Sequence, residues 1–200
     1  MLIDIIVLPP ANIRKNIAGL NKNLKENFAF KWTVDNKKLI PHISLFHINI
    51  KKSKLGEIMS KTSEVLKRVS PLEISFTAAD GRYPYIGIKT DKTDTLFNLH
   101  KKVIDNLKIF RVKAMPFIHK PKTFLDNQYA KKYGVIEVLT KFNPHITMGS
   151  VKNEDDFTKV LDKINSNREI LQNFTADTVA LAEIDKYWQV KKIIKKLKLI

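Results

Sequence analysis

The sequence contains no cysteine, few arginines and no long apolar run. Without cysteine, a disulfide scaffold, a thiol nucleophile and any cysteine-ligated zinc or iron–sulfur site are excluded. The apolar start Leu2–Leu8 is interrupted by Asp4 and ends at a pair of prolines, so it is too short and wrongly flanked for a signal peptide. No later apolar run approaches the length of a membrane span. We therefore expect a soluble, cytoplasmic protein that does not bind membranes.

The chain is strongly basic, with 36 lysines and arginines against 20 acidic residues and a net charge of +16. Such a surplus attracts a polyanion such as RNA and speeds its encounter with the protein. Nearly all of the charge is lysine, however, which a compositional bias alone would also produce. Both interpretations of the charge remain open.

The order of predicted elements repeats along the 200 residues. A strand is expected about 30 residues after His42 and about 29 after His145, and a further strand about 43 and 42 residues after them. Such self-similarity indicates an internal duplication. We expect a single domain over residues 1–200 with an α+β fold: two pseudo-symmetric lobes, two antiparallel-rich sheets around a central cleft, and helices on the outside. Residues 111–132 are basic and without a clean period, which predicts a long loop excursion.

Two short motifs occupy equivalent places in the repeat. Because side chains alternate along a strand, His42 and Ser44 are predicted to share one face, opposite Ile43. The same alternation puts His145 and Thr147 on one face. A dyad between the lobes would bring two imidazoles and two hydroxyls into one groove.

This set of side chains fits phosphodiester chemistry. A neutral histidine can accept a proton from the attacking hydroxyl or water, while a protonated one donates to the leaving oxygen. The two hydroxyls can donate hydrogen bonds to the non-bridging phosphate oxygens. The scheme requires no metal and no cofactor. One such motif alone is typical of a packed histidine, whereas two copies at matching positions favour a catalytic pair.

The segments Pro41–Leu45 and Pro144–Met148 resemble the paired His-x-Ser/Thr-hydrophobic motifs of the two-histidine (2H) phosphoesterase superfamily. That superfamily includes the 2'-5' RNA ligase-like proteins and the 2',3'-cyclic phosphodiesterases. The resemblance implies a bilobal fold with a central cleft and metal-independent catalysis. It also implies that His42 and His145 are the acid and base, and that Ser44 and Thr147 bind phosphate.

Four further residues are candidate substrate contacts: Arg82, Tyr83, His119 and Trp188. The stretch that contains Arg82 and Tyr83 looks like the loop and strand that follow the first motif in this superfamily. His119 would reach a ligand if the 111–132 excursion folds over the cleft. Trp188 could stack on a base, although an aromatic residue on a strand is more often part of the core.

The remaining histidines favour structural roles. His47 has the opposite parity to His42, so it is predicted to face away from the groove. His100 lies near the buried stripe of a predicted helix. Zinc bound by His42 and His145 is the weaker alternative, since no carboxylate is next to either motif.

These observations predict a monomeric phosphodiesterase that hydrolyses a 2',3'-cyclic or 2'-5' phosphodiester in RNA ends or oligonucleotides. Hydrolysis is favoured over ligation because water is always available, whereas ligation needs a second bound end. Two alternatives remain: a non-catalytic RNA-binding module, and a phosphodiesterase of a small cyclic nucleotide metabolite.

Overall fold

The computed structural model describes residues 1–116, 120–167 and 172–200. Within these ranges it has five α-helices and eleven strands. The helices α1 to α5 are Ala11–Asn27, Leu55–Leu66, Asp94–Leu107, Phe124–Tyr133 and Glu154–Asn165. The strands β1 to β11 are Leu2–Val7, Phe30–Thr33, Ile43–Ile50, Leu72–Ile74, Phe76–Arg82, Tyr85–Thr90, Arg111–Lys113, His145–Val151, Phe174–Ala176, Thr178–Ile184 and Val190–Lys198.

The main sheet consists of two antiparallel halves that meet at a single residue pair. One half contains β11, β10, β1, β3 and β7, and the other contains β2, β8, β6 and β5. They are joined where Ile43 of β3 pairs with Ile146 of β8. A separate two-stranded sheet pairs β4 with β9. The α+β prediction with two antiparallel-rich sheets is confirmed, and the structure adds that one bridge links them.

Each half of the sheet takes strands from both halves of the chain. The hairpin β10–β11 joins the half that contains β3, whereas the hairpin β5–β6 joins the half that contains β8. The order strand, helix, short strand, hairpin is the same after β3 and after β8. This equal order is what an internal duplication predicts.

The helices cover the sheet through apolar stripes. In α3 the buried stripe includes Leu96, Leu99 and Val103, and Thr93 caps the helix by accepting a hydrogen bond from the Leu96 amide. Asn153 caps α5 in the same way by accepting from the Asp156 amide. The acidic first turn of α5 is favourable near the positive end of the helix dipole. These helices hold β3 and β8 from behind, so the opposite face of the bridge stays free to form a cleft.

The segment 111–132 is not one loop excursion, so that prediction is wrong for the described residues. It begins with β7, which pairs with β3, and it ends inside α4. Thr123 and Asp126 form a capping box at the start of α4, and Gly134 ends the helix with φ 80°. The basic composition and the prolines concealed this local helix signal. Residues 117–119, including His119, lie outside the described residues.

Candidate active site

The four motif side chains surround the bridge between the two half-sheets. Because β3 and β8 are antiparallel and pair at Ile43 and Ile146, position 42 lies across from position 147 and position 44 across from position 145. Ile43 and Ile146 are fully buried on the other face. The side chains of His42, Ser44, His145 and Thr147 all line one cavity of about 410 Å³. The strand alternation read from the sequence therefore gives the correct face for all four.

Both imidazoles are held in the same tautomer by the backbone. Nδ1 of His42 lies 2.7 Å from the carbonyl oxygen of Ile40, and Nδ1 of His145 lies 2.8 Å from that of Asn143. A carbonyl oxygen can only accept, so each Nδ1 carries a hydrogen and donates it. In each neutral ring, Nε2 is then the atom able to accept a proton. Two rings in the same tautomer, each anchored by the residue two positions earlier, therefore line one cavity.

Desolvation is the main influence on both rings. It lowers the pKa of His42, which is buried, and the nearby Asp4 carboxylate and the Ile40 carbonyl oppose this effect. Desolvation by the cleft walls also lowers the pKa of His145, although its side chain remains open to the cleft. Lowered pKa values leave each ring mostly neutral near pH 7, the form that a general base requires.

His47 faces the cavity, so the prediction that it points away is wrong. Between Ile5 and Ile6 of β1 the register of β3 shifts by one residue, from Phe46 to Ser44, which leaves Leu45 as the extra residue of a β-bulge. A bulge reverses the alternation of side chains beyond it. Positions 42, 44 and 47 therefore share one face, and Nε2 of His47 lies 3.2 Å from Oγ of Ser44.

Asp4 is a site residue that sequence reasoning missed. It lies opposite His47 in the β1–β3 ladder, it is fully buried, and its Oδ2 is 3.2 Å from Nε2 of His47. The same oxygen is 3.8 Å from Nε2 of His42. The available signal was a carboxylate within an otherwise apolar strand, since a buried acid is rare unless it is paired.

Trp188 forms a wall of the cavity. Its indole stacks at a tilt on His47 with ring centroids 4.7 Å apart, and its Nε1 donates to the Pro116 carbonyl oxygen at 2.9 Å. The backbone at Trp188 has φ 65°, a left-handed conformation that is unfavourable for a bulky residue. The Asp185 side chain holds this turn by accepting from the amides of Tyr187 and Gln189. Trp188 is thus largely buried, as expected for a core residue, and it also lines the cavity, as expected for a residue that stacks on a base.

The structure separates Arg82 from Tyr83. Arg82 lines the cavity, whereas the Tyr83 ring packs edge-on against Phe157 and its hydroxyl donates to the Lys152 carbonyl oxygen at 3.2 Å. Tyr83 is therefore placed outside the cavity, contrary to the prediction that it contacts substrate. Tyr85, two residues after Tyr83, lines the cavity instead.

Charged groups of β5 and β6 lie beside His145. Lys89 pairs with His145 in the ladder and forms an ion pair with Asp80, and both line the cavity. The hydrogen bond from Lys89 lowers the pKa of Asp80. Across the cavity, desolvation raises the pKa of Glu137. Of the two lining residues that are permanently cationic, Lys89 is therefore paired with Asp80, and Arg82 is the other.

Neither a metal-binding cluster nor a membrane-spanning helix occurs in the described part of the chain. Across residues 1–116, 120–167 and 172–200, no cluster of three or more histidine and acidic side chains has the geometry to hold a metal ion. Over the same residues, no helix combines the length and apolar character that crossing a bilayer would take.

Comparison with a family model now assigns the chain to a class. The model of the 2'-5' RNA ligase superfamily matches residues 9–188, so the chain belongs to this superfamily. Its members are 2H phosphoesterases, which confirms the predicted family and supports a phosphoesterase activity for this chain. Comparison with curated proteins gives no match.

Solved structures share the fold at low sequence identity. TT0787 of Thermus thermophilus has 12% identity and a TM-score of 0.65, with 100% of this chain and 98% of that chain covered. LigT of E. coli complexed with phosphate has 11% identity and a TM-score of 0.55, with coverage of 98% and 96%. LigT complexed with 3'-AMP has 12% identity, the same TM-score and the same coverage. These likenesses establish the fold.

Proposed function

We propose that the protein is a phosphodiesterase that hydrolyses a 2',3'-cyclic or 2'-5' phosphodiester in RNA ends or oligonucleotides, with His42 and His145 as acid and base. The observation that carries the proposal is a pair of imidazoles, each anchored through Nδ1 to the residue two positions earlier, that line one cavity together. A histidine with only a packing role would not require a second histidine anchored in the same way on another strand.

Under this proposal each motif residue has a role. One neutral ring takes a proton from water as its oxygen attacks phosphorus, and the other ring, protonated, gives a proton to the ribose oxygen that leaves. Ser44 and Thr147 donate hydrogen bonds to the non-bridging oxygens, whose negative charge must be stabilised in the transition state. Neither proton transfer nor these phosphate contacts requires a metal or a cofactor.

The size of the cavity and the charge of the chain support a nucleotide substrate. A volume of about 410 Å³ is in the range of small-molecule pockets, which run from roughly 300 to 1,000 Å³. LigT, which shares the fold, has been crystallised with phosphate, 3'-AMP and NADP+. The net charge of +16 favours an RNA over a neutral substrate.

A product assay tests the proposal. Short RNAs that end in a 2',3'-cyclic phosphate, linear 2'-5' oligoadenylates and cyclic nucleotides are incubated with the wild type and with the His42→Ala, His145→Ala and double variants. Each single variant is expected to lose roughly 10²- to 10⁴-fold in rate. Ser63→Ala is the matched control, because Ser63 is on α2 and its hydroxyl donates to the Met59 carbonyl, outside the cavity. Full turnover by either histidine variant on every substrate would contradict the proposal.

The same panel separates the alternatives. A non-catalytic RNA-binding module, which the net charge favours, would lose affinity steeply with salt and be indifferent to His42→Ala. A phosphodiesterase of a small cyclic nucleotide, which the size of the cavity permits, would need both histidines but show no dependence on oligonucleotide length.

A further inference from the structure

The two imidazoles have different electrostatic surroundings. Asp4 is fully buried, and neither of its carboxylate oxygens has a hydrogen-bond partner among the described residues. A buried carboxylate is strongly unfavourable unless a cation faces it. Within ion-pair distance of Asp4 are Nε2 of His47 and Nε2 of His42, at 3.2 and 3.8 Å.

No equivalent carboxylate faces His145 among the residues that the structure describes. Its acidic neighbour, Asp80, is partly exposed and is already paired with Lys89, whose ammonium group opposes protonation of His145. The position five residues after His145, which corresponds to His47 in the first motif, is Ser150. The second motif therefore lacks both partners that the first one has.

Desolvation is the largest influence on both rings and lowers the pKa of each; the strongest opposing influence is the Asp4 carboxylate for His42 and the Asn143 carbonyl for His145. Asp4 and the Ile40 carbonyl raise the pKa of His42, while His47 and His145 lower it. For His145, the Asn143 carbonyl and Asp80 raise the pKa, and His47 and Lys89 lower it. These groups lie on β1, β3, β5, β6 and β8, and the same cavity is also lined by Arg82 and Glu137.

We propose that Asp4 is a positioning residue that holds a proton on the His42–His47 side of the cavity, so that His42 is the general acid and His145 the general base. The assignment rests on the proposed hydrolysis. Nε2 of His145 takes one proton of water as the new P–O bond forms. The P–O bond to the ribose breaks, and the leaving oxygen takes the proton from Nε2 of His42. One water is consumed, and exchange of protons with solvent restores both rings.

Proton NMR titration of the histidine rings tests the proton's location without any need for turnover. Asp4→Asn keeps the size of the side chain and removes its charge. We expect it to move the titration midpoint of His42 to lower pH by about one pH unit or more, and that of His145 by much less. Asp80→Asn is the matched control: it is expected to lower the titration midpoint of His145 and to leave the midpoint of His42 unchanged. If Asp4→Asn leaves the titration midpoint of His42 unchanged, or shifts that of His145 by the same amount, the proposal is wrong.

A second variant, for which the expected shift of the His42 midpoint is in the opposite direction, tests the proposal even if Asp4→Asn fails to fold. His47→Gln retains a donor that can face Asp4 and removes an imidazole that competes for the same carboxylate. It is expected to raise the midpoint of His42, the reverse of the effect of Asp4→Asn. An unchanged or lowered midpoint would contradict the role of Asp4.

The pH dependence of kcat/KM tests the assignment of acid and base. In a bell-shaped profile the alkaline limb reports loss of the acid's proton. Asp4→Asn should move this limb to lower pH and leave the acidic limb, which reports His145, in place; His47→Gln should move the alkaline limb to higher pH. Movement of the acidic limb instead would reverse the roles and overturn the proposal. Absence of turnover in the wild type on the whole panel would end the proposed function alone, because the NMR titration stands without it.

Discussion

Mild acid should destabilise this protein through His100, before its carboxylates titrate. The His100 side chain is fully buried, and its ring lies against that of Phe142 with centroids 3.8 Å apart. Nδ1 donates to the Leu45 carbonyl at 2.7 Å, and Nε2 accepts from the Leu139 amide at 2.9 Å. The ring is therefore bound as the neutral form. A second ring proton would point at the Leu139 N–H, so protonation requires this contact to break.

The magnitude follows from the pKa difference between the folded and unfolded states. Burial lowers the pKa of His100 to about 4, against about 6.5 for an unperturbed histidine. Because the unfolded chain binds the proton more readily, stability falls as the pH drops below about 6.5 and levels off below about 4. The expected loss from this residue is about 2 kcal/mol at pH 5 and about 3 kcal/mol at pH 4, relative to pH 7.

Urea denaturation of the wild type and His100→Asn over this pH range measures the loss. The variant retains an amide that can donate to Leu45 but has no group that titrates in this range. The other histidines contribute to both proteins and cancel in the difference between them. The free energy of unfolding should favour the wild type at pH 7, and the advantage should shrink by about 3 kcal/mol at pH 4. Parallel pH dependences of the two proteins would refute the argument.

Three further perturbations follow from the structure. Gly87→Ala would place its Cβ 3.2 Å from Cδ2 of His145 and 3.3 Å from the Ile146 carbonyl oxygen, so turnover should fall by up to about 10²-fold in protein that circular dichroism shows to be folded; a normal rate would show that both neighbours can move away freely. Asp126→Asn removes an ion pair with Lys141 that holds the pKa of this carboxyl well below its usual range. That contribution is present above about pH 4 and lost in stronger acid, so urea denaturation should show a weaker variant at pH 7 and a smaller difference at pH 3; an unchanged difference would contradict it. EDTA should leave turnover unchanged, and a loss restored by a divalent cation would contradict metal-independent catalysis.

Much of the candidate site could be predicted because it depends on local rules. Alternation along a strand gave the shared face of His42 and Ser44, and the repeat gave the second motif at an equivalent place. The apolar residues between the motif positions, such as Ile43 and Ile146, are buried as that alternation requires. The pairing of β3 with β8 at one residue could not be predicted from the sequence, because the residues of a strand do not indicate which other strand it pairs with.

The position of His47 shows most clearly where local reasoning ends. Alternation fails there because Leu45 is an extra residue in the β1–β3 ladder, and a bulge is a property of two paired strands rather than of either one. The bulge takes Leu45 out of regular pairing, and its carbonyl receives the hydrogen bond from His100. A histidine on a distant helix therefore stabilises the irregularity that turns His47 toward Asp4. Loss of the His100 ring should accordingly affect the cleft as well as the core, because both depend on the same carbonyl.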